Sequence, residues 1–334
     1  MVDAPAPCAA SCRGAQRGVI SEPAPFPEAA WRRVGAVVVT HHSGRVIGDC
    51  LRAIAAADQV IVVDNASDDD TLAIVLAEAP RATIVRNTVG LGYGNAANQG
   101  LARVDREFAL LVNPDSLITP QAVAALVAAA DRYPDAALVG PVLLDGAGRF
   151  GPSHHLALFD RAASMLAGVE GRPDGEVCAH YLSCAVALVR MSAARAVSGF
   201  DPDIFLYFED DDFCLRLRRA GWSLLLAPDA EVVHTGGGSV RPSLGHTWEK
   251  YWHLAWSRLY CEAKWRGPAA GRRLALRHTA RWAGKALTNL LVDNLSKAFN
   301  HAGRCAGSVA FLAGLPAARG GAPALGPQDR ARAA

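Results

Sequence analysis

Between residues 33 and 140, short apolar runs alternate with segments of helical periodicity, and this alternation limits the possible folds more than any other feature of the chain. The runs predicted as strands are 33–40, 59–63, 82–86, 108–112 and 136–140, and the segments predicted as helices are 45–57, 69–79, 95–103 and 120–133. Apolar runs rich in Val, Ile and Leu are typical of strands buried on both faces. Because strands that alternate with helices form βαβ units, the sequence predicts an α/β domain with a parallel sheet covered by helices on both faces.

Polar residues follow four of these predicted strands. Thr40 ends the first strand, Asp64 and Asn65 follow the second, Asn87 follows the third, and the run 113–115 follows the fourth. Ligands of open α/β sheets bind beyond the carboxyl ends of the strands. The sequence therefore predicts a ligand site at this edge of the sheet.

The composition excludes several classes of protein. The chain has 334 residues, of which 51% are hydrophobic and 20% charged, so it can bury a large core and is neither fibrous nor wholly disordered. No apolar run reaches the ~18–20 residues of a membrane span, and the first residues lack a signal-peptide pattern, so we expect a cytoplasmic protein. There is no GxxxxGK[ST] motif, which excludes a P-loop.

Charge divides the chain into two parts. Residues 1–240 contain 19 Lys and Arg against 28 Asp and Glu, whereas residues 241–334 contain 15 against 4. A basic C-terminal part indicates an anionic ligand or surface. The acidic body argues against nucleic acid, so an anionic membrane face is the alternative that we expect.

Four segments are predicted along the chain: a disordered leader at 1–32, the α/β domain at 33–245, a basic and Trp-rich helical region at 246–315, and a disordered tail at 316–334. The tryptophans of the helical region are Trp248, Trp252, Trp256, Trp265 and Trp282. Trp beside Arg and Lys is typical of helices at a lipid headgroup boundary. A helical appendage that packs on the α/β domain or dimerises explains the same pattern.

Two motifs are candidates for nucleotide contacts. Asp64 can accept hydrogen bonds from a ribose or a pyrimidine ring, although Ser67 in the same run is also explained as a helix cap. In the run 87–98, Gly90 and Gly92 allow close backbone approach, and the helix that follows can bind a phosphate. A dinucleotide fingerprint is disfavoured, because its acidic residue should follow the glycines and Asp64 precedes them.

Three further motifs carry carboxylates or imidazole. Asp115 after an apolar strand suits a divalent cation, and a β-turn explains the same Asn-Pro-Asp run. The run Glu209 to Asp212 opens a predicted helix between aromatic residues, where crowded carboxylates suit a general base. Asp212 can pair with Arg216, four positions later in the predicted helix. His234 precedes three glycines and is either structural or a ligand of a metal or diphosphate.

The motifs, in this order, resemble the family 2 glycosyltransferases of the GT-A fold over about residues 33–245. The motifs that carry the resemblance are the Thr40 strand end, 63–69, 87–98, Asn113-Pro114-Asp115, Gly199-Phe200-Asp201, 209–212 and His234. Within the family, they are similar to the bacterial rhamnosyltransferase-like enzymes that build cell-wall or surface glycans. The resemblance implies a mixed, mainly parallel sheet with helices on both faces and a C-terminal helical appendage.

The resemblance also implies roles for individual residues. Thr40 and Asp64 would hold the nucleoside of the donor, Asp210 would act as catalytic base supported by Glu209 and Asp212, and Asp115 with His234 would bind Mg²⁺ or Mn²⁺. The remaining donor-site residues would be Asn65, Ser67, Asn87, Gly90, Gly92, Asn98 and Asn113. Asn113 stands where the family usually has the first Asp of a DxD motif.

The implied activity is an inverting transfer of a sugar, with rhamnose favoured, from a nucleotide-diphosphate donor such as dTDP-rhamnose or a UDP-sugar. The acceptor would be a hydroxyl of a glycan or of a polyprenyl-diphosphate-linked acceptor, which places the protein in the cytoplasm or peripherally on the inner face of the membrane. Two alternatives remain from the residues alone. A nucleotidyltransferase would normally show a Gly-rich basic loop directly after the first strand, and this sequence lacks one. A non-catalytic nucleotide-sugar-binding protein would lack turnover.

Overall fold

The structure, a computed structural model, describes residues 27–151, 153–155, 172–236 and 243–317. Most of the predicted leader and tail lie outside these residues. The boundary at residue 32 is wrong, because Pro27–Trp31 forms a helix and Ala30 and Trp31 are buried in the core. Within the described residues, a helix therefore precedes the first strand.

Secondary structure follows the predicted alternation as far as residue 144. The strands are β1 Val34–Thr40, β2 Gln59–Asn65, β3 Thr83–Asn87, β4 Phe108–Val112, β5 Ser116–Ile118, β6 Ala136–Leu144, β7 Phe150–Gly151, β8 His154–His155, β9 Val177–Cys178, β10 Tyr181–Leu182, β11 Val186–Arg190 and β12 Ser223–His234. The helices are α1 Pro27–Trp31, α2 Ile47–Ala53, α3 Thr71–Glu78, α4 Tyr93–Leu101, α5 Pro120–Arg132, α6 Met191–Ala196, α7 Glu209–Arg219, α8 Leu244–Arg266, α9 Pro268–Leu291 and α10 Leu295–Leu312.

The main sheet of the described residues has the strand order β3-β2-β1-β4-β11-β6-β12-β5, with β7 beside β6 and β9 beside β12. The strands β3, β2, β1 and β4 are parallel, as are β6 and β12. β11 runs antiparallel between β4 and β6. The sheet is therefore mixed and mainly parallel, as the family resemblance implied, and not wholly parallel as the alternation alone predicted.

Both faces of the sheet are covered. Along β1, Val34, Ala36 and Val38 belong to one buried cluster, whereas Val37 and Val39 belong to the other. Successive side chains of a strand point to opposite faces. A strand that is buried on both faces therefore needs the continuous apolar run that the sequence shows.

The predicted strand across 181–190 is interrupted. β10 pairs with β8 in a separate two-stranded sheet, and β11 joins the main sheet. Between them the backbone N–H of Cys184 donates to the carboxylate of Asp210, 3.1 Å away. In a continuous strand this N–H would donate to a carbonyl of the neighbouring strand, whereas here it donates to a side chain of α7. The hydrophobic periodicity of the sequence does not predict such a change of partner.

Helices α8, α9 and α10 form the C-terminal region, and α8 packs on the segment that precedes α7. The Ser257 hydroxyl donates to the carbonyl of Leu206, and His253 stacks on Phe205 with ring centroids 4.6 Å apart. The alternative of an appendage on the α/β domain thus describes α8. Among the described residues, no helix has the length and hydropathy needed to cross a membrane.

The tryptophans of this region mostly face protein. Trp256 is buried and donates to the carbonyl of Leu315, and Trp265 donates to Asp212. Trp282 packs beside Arg304 and His301. The expectation that these rings lie at a lipid boundary is therefore wrong for the buried Trp256, whereas Trp265 and Trp282 are half-buried and also contact protein.

His253 makes stability sensitive to acid. Burial lowers the pKa of His253 to about 4 from 6.5, and its Nδ1 has no hydrogen-bond partner among the described residues. Between these pH values the unfolded chain binds the proton more readily, so stability present above pH 6.5 is lost as pH falls toward 4.

The variant His253→Phe keeps the ring stacking but cannot bind this proton. Between pH 7 and pH 5, we expect its free energy of unfolding to fall by roughly 1–2 kcal/mol less than that of the wild type.

Urea unfolding at the two pH values measures this difference. His246→Phe, on the same helix, controls for the exchange of a histidine. An equal loss in His253→Phe and the wild type would show that the titration lies elsewhere.

Candidate active site

The donor end of the site is built by the ends of β1 and β2. Thr40 and Asp64 are neighbours in the register of the two parallel strands, and both are buried. One carboxylate oxygen of Asp64 accepts from the N–H of Ser67. Within the described chain, neither Thr40 Oγ1 nor Asp64 Oδ2 has a hydrogen-bond partner. Because buried polar atoms are normally paired, this hydroxyl and this oxygen point to a ligand.

The glycine-rich run is fixed by side chains at the same edge. The N–H of Leu91 donates to Asn65 Oδ1 at 2.9 Å, and the N–H of Tyr93 donates to the carbonyl of Phe205. Gly92 has φ +82°, and a Cβ there would lie 1.8 Å from the Phe205 carbonyl oxygen. Close contact between two backbones therefore requires this glycine.

Three of the predicted donor-site residues use their side chains within the protein. Asn98 Oδ1 accepts from the N–H of Phe200 at 2.8 Å, and its Nδ2 donates to the carbonyl of the same residue at 2.9 Å. Asn87 exchanges hydrogen bonds with Gln99, and Ser67 accepts from the N–H of His42. These residues shape the loops around the donor end. Gly90 is exposed in the glycine run.

Asp115 and His234 lie together at the other end of the edge. His234 Nδ1 is 3.2 Å from Asp115 Oδ1 and 3.0 Å from the hydroxyl of Ser116. The register of β5 against β12 places Ser116 opposite His234. A strand pairing between residues more than a hundred positions apart therefore brings two predicted metal ligands into contact.

Asp210 lies at the start of α7 and is oriented by two donors. Its Oδ2 accepts from the N–H of Cys184 at 3.1 Å and from the hydroxyl of Tyr181 at 3.4 Å. Tyr207 and Phe208, just before the helix, both have φ near +65°, which is strained for bulky side chains. Such strain persists only where the surroundings enforce it, and it is frequent at functional sites.

The segment 184–185 joins the acidic helix to the Asn-Pro-Asp motif. Cys184 donates to Asp210, and the carbonyl of the next residue, Ala185, accepts from the N–H of Asn113 at 2.7 Å. Asp115 follows two residues later. The structure therefore brings the motifs of Asp64, Asp115 and Asp210 to one edge of the sheet.

The other two acidic residues of the motif are more enclosed. Glu209 is buried, and Asp212 is fully buried. Asp212 pairs with Arg216 at 2.7 Å, as the four-residue spacing predicts, and with Lys264 at 2.6 Å. Its oxygens thus face α8, so the geometry assigns Asp212 to the support of α7 rather than to substrate contact.

Lys264 links α8 to two carboxylates of the segment 201–212, which carries the candidate base Asp210 and which we call the catalytic segment. Its ammonium group binds both Asp201 and Asp212, and the Tyr260 hydroxyl donates to Asp201. Burial by itself would raise the pKa of Asp201, but the hydrogen bonds from Lys264, the Asp203 N–H and Tyr260 hold it below its ordinary value. A cation on α8 therefore stabilises the carboxylates beside the site.

Sequence reasoning missed Tyr181, Cys184, Tyr260 and Lys264. The hydroxyl of Tyr93 donates to the carbonyl of Cys184. Burial raises the pKa of this tyrosine well above its ordinary value, and electrostatic interactions with Cys184, Asp210 and Glu209 add to the increase. Cys184 acts through its backbone, which gives no residue-type signal. Lys264 lies more than fifty residues from its partners in a helix rich in basic residues, so no spacing marks it.

Comparison with known proteins identifies the family. The model of glycosyl transferase family 2 matches residues 36–198. The N-acetylglucosaminyl-diphospho-decaprenol L-rhamnosyltransferase of Mycobacterium tuberculosis is 30% identical, over 59% of this chain and 74% of that enzyme. The chain belongs to glycosyl transferase family 2. It is a glycosyltransferase, and this excludes the nucleotidyltransferase and the non-catalytic binding protein as alternatives.

Two solved structures are similar to this chain. The mannosyltransferase PcManGT from Pyrobaculum calidifontis, solved with GDP-Man and Mn²⁺, has a TM-score of 0.54 and 19% identity, and the match covers 84% of this chain and 87% of that one. S. aureus TarS has a TM-score of 0.49 and 18% identity, covering 69% of this chain, and this chain spans 40% of its length. The GT-A fold of this family 2 chain is therefore confirmed by the first likeness.

Removal of the Lys264 charge should destabilise the glycosyltransferase. In Lys264→Met, Asp201 and Asp212 stay buried and lose their shared cation, and breaking such a pair costs about 3 kcal/mol. Chemical unfolding at pH 7 measures the loss. Lys250→Met, at an exposed position of the same helix, is the control and should change stability little. Equal stability of the two variants would contradict the assigned role of Lys264.

Proposed function

We propose that the protein transfers L-rhamnose from dTDP-rhamnose to a hydroxyl of a polyprenyl-diphosphate-linked glycan, with inversion at the sugar C1. The convergence of the Asp64, Asp115 and Asp210 motifs at one sheet edge is the observation that carries the proposal. The choice of sugar and acceptor is supported by the name of the mycobacterial relative. A UDP-sugar is the second donor to test.

The unpaired polar atoms support a nucleoside site at Thr40 and Asp64. A carboxylate oxygen and a hydroxyl that are buried and adjacent can accept from ribose hydroxyls or from the N–H of a pyrimidine. Asn65, Asn87 and Asn98 hold the surrounding loops in position. We assign nucleoside contact to Thr40 and Asp64, and support of the loops to the three asparagines.

Asp210 is assigned as the general base. The acceptor hydroxyl gives its proton to a carboxylate oxygen of Asp210 as its own oxygen bonds to the sugar C1. The bond from C1 to the donor diphosphate breaks at the same time, and the nucleoside diphosphate leaves. Tyr181 and the N–H of Cys184 fix the carboxylate, which places the base before the acceptor binds.

The residues present fit a divalent cation in part. Asp115 and His234 offer a carboxylate oxygen and an imidazole nitrogen in mutual contact, whereas no group of three such ligands occurs among the described residues. Mg²⁺ is often held by one or two carboxylates, with substrate phosphates and water completing the shell. Asp115 and His234 would hold Mg²⁺ or Mn²⁺, which would neutralise the charge that develops on the leaving diphosphate.

A lipid-linked acceptor would bring the enzyme to a membrane. We place the protein in the cytoplasm, in peripheral contact with the inner face of the membrane. The excess of basic residues after residue 240 supports contact with anionic lipids.

Loss of the base should slow transfer without loss of donor binding. General bases contribute about 10²–10⁴-fold, so we expect Asp210→Asn to lower kcat by that factor. Transfer from radiolabelled dTDP-rhamnose measures kcat, and calorimetry with the same donor measures binding. Asp229→Asn, at an exposed position of β12, is the matched control. Near-normal turnover in Asp210→Asn would reject this assignment of the base.

Metal dependence should follow Asp115 and His234. EDTA should abolish transfer, and Mg²⁺ or Mn²⁺ should restore it. Asp115→Asn and His234→Gln should each raise the metal concentration needed for half-maximal activity, because each removes one ligand. Titration of the metal in the transfer assay checks both variants, and activity that is indifferent to EDTA would remove the metal from the proposal.

A further inference from the structure

The turn between α9 and α10 carries a cluster of exposed apolar side chains, which we call the leucine tip. Its members are Leu287, Leu290, Leu291, Val292, Leu295 and Phe299. Leu291 is 77% exposed and Val292 is 72% exposed. Exposed apolar side chains that occur singly are ordinary, but a contiguous cluster of this kind marks an interaction surface.

The start of α8 lies at the same end of the helical region. A Cβ at Gly303 would lie 2.4 Å from the carbonyl oxygen of Trp248, and one at Gly307 would lie 2.3 Å from that of Trp252. The second contact lies four residues after the first on each helix. Helices α8 and α10 therefore run side by side in the same direction. Leu244, which is also exposed, therefore lies toward the leucine tip.

A row of basic side chains runs along α9 toward this apolar end, and Arg281 and Lys285 are its members nearest the leucine tip. Arg273, Arg277, Arg281 and Lys285 follow one another at four-residue spacing on α9, and all four are exposed. Residues four apart share one face of a helix. Neither α9 nor α10 contains an acidic residue, and Asp293, in the turn between them, is the one acidic residue of residues 268–312. The surface thus combines an exposed row of basic side chains with an exposed apolar end. A complementary partner is both anionic and apolar.

We propose that the leucine tip inserts into an anionic phospholipid bilayer while Arg281 and Lys285, the end of the basic row nearest the tip, contact the headgroups. The proposal deepens the proposed function and rests on it for the membrane-bound acceptor. A nucleic acid would satisfy the arginines and leave the leucines in water. A symmetric pair of chains would bring two basic rows together, and like charges at an interface are repulsive. A bilayer with anionic lipids satisfies both features.

The position of α8 relates this surface to the catalytic segment. His253 and Ser257 contact Phe205 and Leu206, just before Asp210. They lie nine and thirteen residues from Leu244, which is about 14–20 Å along a helix that rises 1.5 Å per residue. Insertion of the leucine tip would therefore hold the catalytic segment near the headgroup layer, where a lipid-linked diphosphate lies.

Flotation of the full chain with vesicles tests the surface. Vesicles of phosphatidylcholine with phosphatidylglycerol should bind the protein, whereas phosphatidylcholine alone should bind it weakly. Leu290→Asn with Leu291→Asn should lower the partition coefficient by about tenfold or more, because two apolar side chains lose their burial. Arg281→Gln with Lys285→Gln, the two members of the row nearest the leucine tip, should lower it by at least fivefold and reduce its salt dependence. Leu76→Asn, at an exposed leucine of α3, is the control and should bind as the wild type does.

Transfer assays separate this proposal from the proposed function. The Leu290 and Leu291 variant should retain kcat on a short-chain, water-soluble acceptor and lose activity on an acceptor embedded in vesicles. Normal vesicle binding by this variant would overturn the docking surface even if transfer occurs. Sedimentation that shows the same substitutions dissolving a dimer, with vesicle binding unchanged, would also overturn it. Failure of the wild type on the soluble acceptor would reject the proposed function and leave the vesicle result intact.

Discussion

The antiparallel strand β11, placed between β4 and β6, is the constraint on which the candidate site depends. Because it runs against β4, its first residues lie at the edge where β1, β2 and β4 end. The turn before it therefore reaches both sides of the site. Cys184 donates to Asp210, and Ala185 accepts from Asn113. If β11 were parallel to β4, its last residues and not its first would lie at this edge.

Buried charge links the C-terminal helices to the catalytic segment. Asp201 and Asp212 are buried carboxylates, and a buried charge is tolerated only when it is paired and hydrogen-bonded. Lys264, from α8, supplies the shared cation, while Tyr260 and Trp265 donate to the same carboxylates. Helix α8, which packs on the two helices of the proposed membrane surface, is therefore also part of the support of α7, which carries Asp210.

The candidate site divides its polar residues between two tasks. Asn98 and Asn87 use their amides within the protein, whereas Thr40 Oγ1 and Asp64 Oδ2 have no hydrogen-bond partner in the part of the chain that the structure describes. From the sequence alone, Thr40, Asp64, Asn87 and Asn98 are all candidates for ligand contact, and nothing distinguishes them. The pairing state of each atom distinguishes residues that shape the loops from residues that can receive a ligand.

The sequence by itself determined the α/β class, most of the strands before residue 144 and the set of motifs at the sheet edge. These follow from local patterns, since burial on both faces demands continuous apolar runs and strand ends demand polar residues. Tertiary structure alone decided the direction of β11, the contact between Asp115 and His234, and the pairing of Asp212 with Lys264. It also decided that Trp256 is buried, whereas Leu287, Leu290 and Leu291 are exposed at the end of α9. Each of these depends on which distant segments meet, and the periodicity of a single segment does not encode its partner.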